Sequence, residues 1–318
     1  MISVDEKYMR MCFALAKKGY GKVAPNPMVG CVVLDRVGNL ISKGYHKKYG
    51  ENHAERDALL KLKNNEAEGG TLYVNLEPCS HFGKTPPCVD LIIKHKLKRV
   101  VIGMKDVNPK VDGITKLKNA GIEVDFVLEE EARFLNRMFI KTMTEKMPYV
   151  VLKTASTMDG KIASKTGSSK WITSETARKE VYRMRKEFDC IMTSSNTVIA
   201  DNPSMQHNFK CILDKDLRTP KDAKIYQQGE IYIASKENTP LKDKQLDIEA
   251  VLKNLYSKGI YSVFVECGGT LAGSMLKDNL IDEVYQFIAP KILNDNNGLS
   301  CFNGADIKEI SQAKNLKI

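Results

Sequence analysis

The sequence predicts an α/β protein of two domains, and three observations carry the prediction. At 318 residues the chain is long enough to bury two independent cores. Short Val- and Ile-rich runs alternate with helical patterns through both halves. Pro148 then ends a long charged helical segment just before a fresh apolar run, "YVVLKTAS". The boundary belongs there, with one domain over residues 1–146 and the other over 147–318.

The elements follow in order. In "MISVDEKYMRMCFALAKKG" the apolar positions Met9, Cys12, Phe13 and Ala16 recur at helical spacing, which makes an amphipathic helix and not a signal peptide. "MVGCVVLD" and "LISKGY" form a hairpin around "RVGN". A helix at "HAERDALLKLK" precedes a strand "TLYVNL", a helix "CVDLIIKHKL", a strand "RVVIGM", a helix "GITKLKNAG", a strand "IEVDFV" and one long helix from about Glu129 to Lys146. Beyond the boundary come the strand "YVVLKTAS", a helix "RKEVYRMRKEF", strands "DCIMTS" and "EIYIAS", a helix "IEAVLKNLYSKG", the strand and turn "YSVFVECGG", a helix "LAGSMLKDN" and a strand "DEVYQFIAP".

Composition narrows the function classes. No run of about eighteen apolar residues occurs, so no membrane span is expected, and a cytoplasmic location is. Eight cysteines scattered without an export signal argue against a disulfide framework, and most read as small buried hydrophobes. The net charge of +10 is compatible with nucleic acid or an anionic small substrate. The basic residues are dispersed, however, and no alternation of basic and aromatic residues suggests a platform for single strands.

Two stretches carry chemistry in the first half: "NHAERDALL", with His53 and Glu55, and "LEPCSHFGKTPPC", with Cys79 and Cys88. Residues two apart point to opposite sides of a helix, so His53 and Glu55 can converge only at a helix end. Cys79 follows a strand and Cys88 leads a helix, which puts both thiols at element ends. One imidazole and two thiolates suit zinc and leave a fourth tetrahedral position for water, whose pKa zinc lowers to roughly 7. A neighbouring carboxylate, Glu55, can shuttle the proton to a leaving group. A closed structural site with His81 as fourth ligand is the alternative. His-x-Glu followed by Pro-Cys favours a zinc nucleobase deaminase.

The spacing of the cysteines is longer than Cys-x-x-Cys, and "PCSHFGKTPPC" resembles the motif of the bifunctional riboflavin-biosynthesis deaminase/reductases. "APNPMVG" and "GYHKKYGENHAE" are similar to other motifs of that family. The resemblance implies a cytidine-deaminase-like three-layer α/β/α domain that deaminates a phosphorylated diaminopyrimidine, with Asn26, His46, His81 and Lys84 as substrate contacts. In the second half "TSSNTVIADNPSM", "LRTP", "VECGGTLAGSML" and "DEVYQFIAPKIL" look like the family's dihydrofolate-reductase-like domain. There NADPH would reduce the ribosyl chain to ribityl. The resemblance assigns Ala155, Trp171, Thr197, Asp201, Ser235 and the run Gly268, Gly269, Thr270, Leu271, Ala272, Gly273 and Ser274 to the coenzyme. Ser169, Arg185, Met205 and Glu266 face the substrate, with Lys153 and Glu266 polarising and protonating the opening ribose. The Gly turn also suits a phosphate physically, because backbone amides and a helix start can approach it.

The pattern departs from the family in two places. Asp201-Asn202-Pro203, Met205 and "QHNFK" stand where Asp-Asp-Pro, Leu and a substrate-binding Arg are usual, so His207 or Lys210 replaces that Arg or the reductase is weak. Asn294-Asp295 stands in place of Gly-Gly. A homodimer through the second domain is what the family implies. Two rival readings are a nucleic-acid deaminase and a deaminase carrying a non-catalytic second domain.

Overall fold

A computed structural model describes residues 2–63, 65–83, 86–304 and 307–317 of the chain. It divides into two units, Met1–Lys146 and Met147–Ile318.

The first unit holds one five-stranded sheet, made of β1 (Gly30–Leu34), β2 (Leu40–Tyr45), β3 (Thr71–Val74), β4 (Arg99–Ile102) and β5 (Glu123–Phe126) in the order β2-β1-β3-β4-β5. The hairpin β1–β2 and the pair β1–β3 are antiparallel, whereas β3, β4 and β5 run parallel. All five residues of β1 are buried, so both faces of the sheet are covered and the unit has α/β/α layers. The covering helices are α1 (Val4–Ala16), α2 (Ala54–Leu59), α3 (Cys88–Lys94), α4 (Gly113–Asn119), α5 (Glu129–Leu135) and α6 (Arg137–Glu145). Met9 and Cys12 of α1, Ile92 of α3 and Leu117 of α4 join Val32, Leu72 and Val101 of the strands in one core.

Two local features place the first half's chemistry. Gly44 of β2 lies so close to α2 that an added Cβ would stand 2.5 Å from the Ala54 carbonyl and the Ala58 nitrogen. Only glycine lets the helix start there. The long helix expected over 129–146 is in fact two, because Asn136 leaves the helical conformation at φ −102°, ψ 20°. Its side chain holds the loop before β1 instead: Oδ1 accepts from the Met28 amide at 2.9 Å, and Nδ2 donates to the Met28 carbonyl at 3.1 Å.

The second unit has a six-stranded sheet in which every pair is parallel. Its strands are β6 (Tyr149–Thr157), β8 (Cys190–Ser194), β9 (Phe209–Leu213), β10 (Glu230–Ala234), β13 (Ser262–Glu266) and β14 (Glu283–Ala289), in the order β10-β9-β8-β13-β6-β14. Short pairs add β7 (Lys161–Ala163) to β15 (Leu299–Ser300) and β11 (Leu241–Lys242) to β12 (Gln245–Leu246). The helices are α7 (Glu175–Arg185), α8 (Ser195–Asp201), α9 (Ile248–Ser257) and α10 (Gly269–Lys277). Because β13 inserts between β6 and β8, Lys153 and Glu266 become cross-strand partners although 113 positions separate them (266 − 153). Their neighbourhood is therefore a product of topology.

Helix α8 and strand β9 have no counterpart among the elements expected from periodicity. Lys210 interrupts the apolar run "FKCIL", yet it is fully buried, and its ammonium donates to the carbonyls of Ile225 and Gln228. Among the described residues, no helix is long and apolar enough to cross a membrane.

Candidate active sites

His53 is the N-cap of α2 and Glu55 lies in its first turn, so the two converge from a helix end as the i, i+2 spacing requires. Cys79 follows β3, and Cys88 is the first residue of α3. His53 Nδ1 stands 3.4 Å from Cys79 Sγ and 3.6 Å from Cys88 Sγ, and the three ligand atoms lie within 4.8 Å of one another. One nitrogen and two sulfurs at that separation fit zinc with an open fourth position. The hydrogen bond from the Cys88 thiol, followed by that from His53, holds the Cys79 thiol well below its ordinary pKa. A thiolate is the form a metal takes up.

Glu55 is only 3% exposed. Burial first, and the charge of Cys79 second, push its carboxyl up to about 7. A carboxyl in that range can both take and return a proton near neutrality.

His53, Glu55 and Cys79 line a cavity of about 280 Å³ together with Asn26, His46 and His81. His46 is buried and engaged at both ring nitrogens: Nδ1 lies 3.0 Å from the Asn52 carbonyl, which can only accept, and Nε2 lies 3.2 Å from Asn26 Nδ2. That pattern is satisfied by the neutral ring, and burial lowers the His46 pKa in the same direction. Edge-on at 5.4 Å, the ring also braces His53. His81 Nδ1 is buried with no partner, a state native structures rarely tolerate without a ligand or water. It does not belong to the close His53, Cys79 and Cys88 cluster, so the closed four-ligand arrangement is not the one formed. Lys84 lies outside the described residues.

Two cavity residues escape a reading by motif, Asp106 and Asn108. Glu77, 3% exposed, accepts from the amides of Asp106 at 3.1 Å and Ile114 at 3.0 Å and so fixes the loop that carries them. Burial raises the Asp106 carboxyl to about 6. The only sequence signal is a polar "KDVNP" directly after a strand end.

The second unit has a cavity of about 940 Å³ on the parallel sheet. Lys153, Ala155, Ser169, Arg185, Thr197, Asp201, Met205, Glu266, Gly268, Gly269, Thr270, Leu271 and Ser274 all line it. Glu266 is held by two cations. Arg185 approaches with Nε at 2.5 Å from Oε1 and Nη2 at 3.1 Å from Oε2, and Lys153 Nζ stands 3.5 Å from Oε2. Burial disfavours the carboxylate, but Arg185 and then Lys153 outweigh it and keep the Glu266 pKa below its ordinary value. Arg185 and Lys153 thus favour the ionised carboxylate of Glu266 over its protonated form.

Four residues assigned to the coenzyme do not line this cavity. Trp171 is 62% exposed beneath the Arg178 guanidinium, 4.2 Å from its ring centre. Ser235 is 2% exposed in a turn in which its amide donates to Asn238. Ala272 and Gly273 face inward, and a Cβ on Gly273 would stand 1.7 Å from the Asn303 carbonyl oxygen. Gly269 is crowded in the same way by the Ser300 carbonyl, whereas nothing lies within 4 Å of a Cβ built on Gly268. Of the paired glycines, then, Gly268 alone has open space where a Cβ would stand.

Neither substitute for the missing Arg reaches the cavity. His207 places its ring nitrogens 2.8 Å from the Phe209 carbonyl and 2.9 Å from that of Phe188, and Lys210 is spent on the two carbonyls named above. Asn294 meets the turn requirement of its absent glycine itself at φ 52°, with Asp159 accepting from its amide at 2.9 Å.

Known proteins agree with both halves. The cytidine and deoxycytidylate deaminase zinc-binding region family matches residues 2–104, and the RibD C-terminal domain family matches residues 148–318. The riboflavin biosynthesis protein RibD of Aquifex aeolicus is 41% identical over 99% of this chain and 95% of its own, and that of Escherichia coli is 37% identical over 95% and 92%. The solved structure of Acinetobacter baumannii RibD covers 98% of this chain and 94% of its own at 37% identity with a TM-score of 0.85. That of the Thermotoga maritima diaminohydroxyphosphoribosylaminopyrimidine deaminase/5-amino-6-(5-phosphoribosylamino)uracil reductase covers 98% and 93% at 38% identity with the same score. The chain belongs to the RibD family of bifunctional riboflavin-biosynthesis enzymes, which join a zinc-dependent deaminase to an NADPH-dependent reductase.

Proposed function

We propose that the first unit deaminates 2,5-diamino-6-ribosylamino-4(3H)-pyrimidinone 5′-phosphate and the second reduces the ribosyl chain of the product, each with the residues its cavity brings together. The observation that carries the first half is a buried Glu55 beside the His53, Cys79 and Cys88 cluster. Zinc, when bound by those three, supplies the Lewis acidity that makes a water acidic near neutral pH. Glu55 accepts the proton released as water adds to the ring carbon and passes it to the exocyclic amine, which leaves as ammonia. Asn26 reads the pyrimidine edge and His81 offers its unpartnered Nδ1, while His46 positions Asn26 and His53. Asp106 and Asn108 close the other side. Lys84 is the phosphate contact implied by the family motif.

In the second unit NADPH, when bound, supplies a hydride to C1′ of the ribose. The C1′–O4′ bond breaks, and Lys153 donates the proton that O4′ needs. Glu266 holds Lys153 in place, with Arg185 as its second partner. Gly268 and the first turn of α10 suit the coenzyme's phosphates.

A coupled assay tests both halves. Full-length protein given the diaminopyrimidine releases ammonia without NADPH, and added NADPH is then oxidised in step with ammonia already formed. Ammonia without oxidation would leave the second unit non-catalytic.

We place the enzyme in the cytoplasm, a reading supported by its eight free cysteines. We also assign a homodimer through the second unit: β14 is an outer strand, and its Ile288 is 61% exposed. Sedimentation should give twice the chain mass, and Ile288→Lys should shift it toward the monomer.

A further inference from the structure

Lys153 and Arg185 share the one carboxylate of Glu266, and the same cavity has a second cationic wall that the chemistry above leaves unused. Lys215 and Arg218 line it, just beyond the carboxyl end of β9. Arg218 donates from Nη2 to Asn196 Oδ1 at 2.6 Å and to Ser195 Oγ at 3.3 Å, both neutral acceptors. Lys215 Nζ donates to the Lys244 carbonyl at 3.1 Å. Its nearest carboxylate, Asp216 at 3.8 Å, is held closer by Lys236 at 3.0 Å. Lys215 and Arg218 are thus the cations this end of the cavity presents, with Asp216, which also lines it, drawn toward Lys236.

The wall is built rather than incidental. Asp214 is 1% exposed, and its carboxylate accepts from the Arg218 amide at 2.9 Å, the Thr219 amide at 2.8 Å and the Thr219 hydroxyl at 2.6 Å. The turn that presents Arg218 is thus tied down from below.

We propose that Lys215 and Arg218 bind the 2′-phosphate of the coenzyme's adenosine and so select NADPH over NADH. The inference rests on reading this cavity as the coenzyme site. A phosphate monoester adds up to two negative charges, which a guanidinium and an ammonium recognise and a ribose hydroxyl does not reward. The substrate's own phosphate is a poorer occupant. It sits on C5′ of the same ribose that is reduced, only a handful of bonds from the carbon that must lie beside Lys153. Strand β9 is three inter-strand steps from β6 in the sheet, about 14 Å in all.

The test compares wild type with Arg218→Gln and Lys215→Gln in the full-length protein. Calorimetry should find that wild type binds 2′,5′-ADP more tightly than 5′-AMP, and that Arg218→Gln weakens 2′,5′-ADP by about ten- to a hundredfold, the range of a charge-assisted hydrogen bond, with little change for 5′-AMP. In steady state the ratio of kcat/KM for NADPH over NADH should fall at least tenfold, with partial recovery in Arg218→Lys. Equal losses for both nucleotides would overturn the proposal by making Arg218 merely structural. A raised KM for the deaminated substrate with the coenzyme ratio unchanged would reassign the wall to the substrate's phosphate. Failure of wild type to bind either nucleotide would instead sink the coenzyme reading of the cavity.

Discussion

Glu55→Gln should lower the deaminase kcat by about 10²- to 10⁴-fold, the usual contribution of a positioned acid–base group, while zinc content stays at one per chain. The amide keeps the volume of the carboxyl but cannot take up a proton, and at a position only 3% exposed no solvent base easily replaces it. The substitution leaves His53, Cys79 and Cys88 in place, and both thiols still meet the His53 ring. Elemental analysis of the purified variant separates lost chemistry from lost metal. Oxidation of NADPH with the deaminated compound should continue at the wild-type rate, since that chemistry uses residues of the other unit. A kcat within tenfold of wild type, zinc retained, would return the cluster to a structural role.

How far a sequence exposes such a site depends on where its residues sit. His53, Cys79 and Cys88 occupy the ends of short elements with Gly and Pro around them, so spacing alone gathers them. His46 and Asn26 come with the same local motifs. Asp106 does not: its loop is held by Glu77, whose acceptor bonds to two backbone amides exist only in the fold. Asn136 is misread for a related reason. Its neighbours continue a helical pattern, but two bonds to Met28, 108 positions away, outweigh local propensity and break the helix. Strand β9 is hidden by Lys210, a charge that reads as surface until carbonyls are found for it inside. The paired glycines show that residue type underdetermines role, since Gly269 and Gly273 admit a backbone segment and only Gly268 has open space where a Cβ would stand.

The second unit turns on a pairing no local pattern reveals, and its sharpest test is Lys153→Met. The register of β6 against β13 sets Lys153 opposite Glu266, with the ammonium 3.5 Å from the carboxylate and the Lys153 side chain 16% exposed. Methionine fills the same space without a proton to give. Glu266 keeps its two-point contact with Arg185, so the carboxylate is not left alone and the fold should survive; removing Arg185 instead would strip Glu266 of its closest partner, where breaking a buried pair costs about 3–5 kcal/mol. The expected result is a fall of about 10²- to 10⁴-fold in the rate of NADPH-dependent reduction, with coenzyme affinity and ammonia release near wild type. Lys153→Ala, which leaves a gap, should recover part of the rate when a small primary amine is added. Rescue by the amine is specific to a missing proton donor: a merely structural lysine would lose coenzyme binding or thermal stability along with turnover and gain nothing from the amine. Persistence of the wild-type rate in Lys153→Met would move proton delivery to another cavity group and leave the Lys153–Glu266–Arg185 cluster as packing.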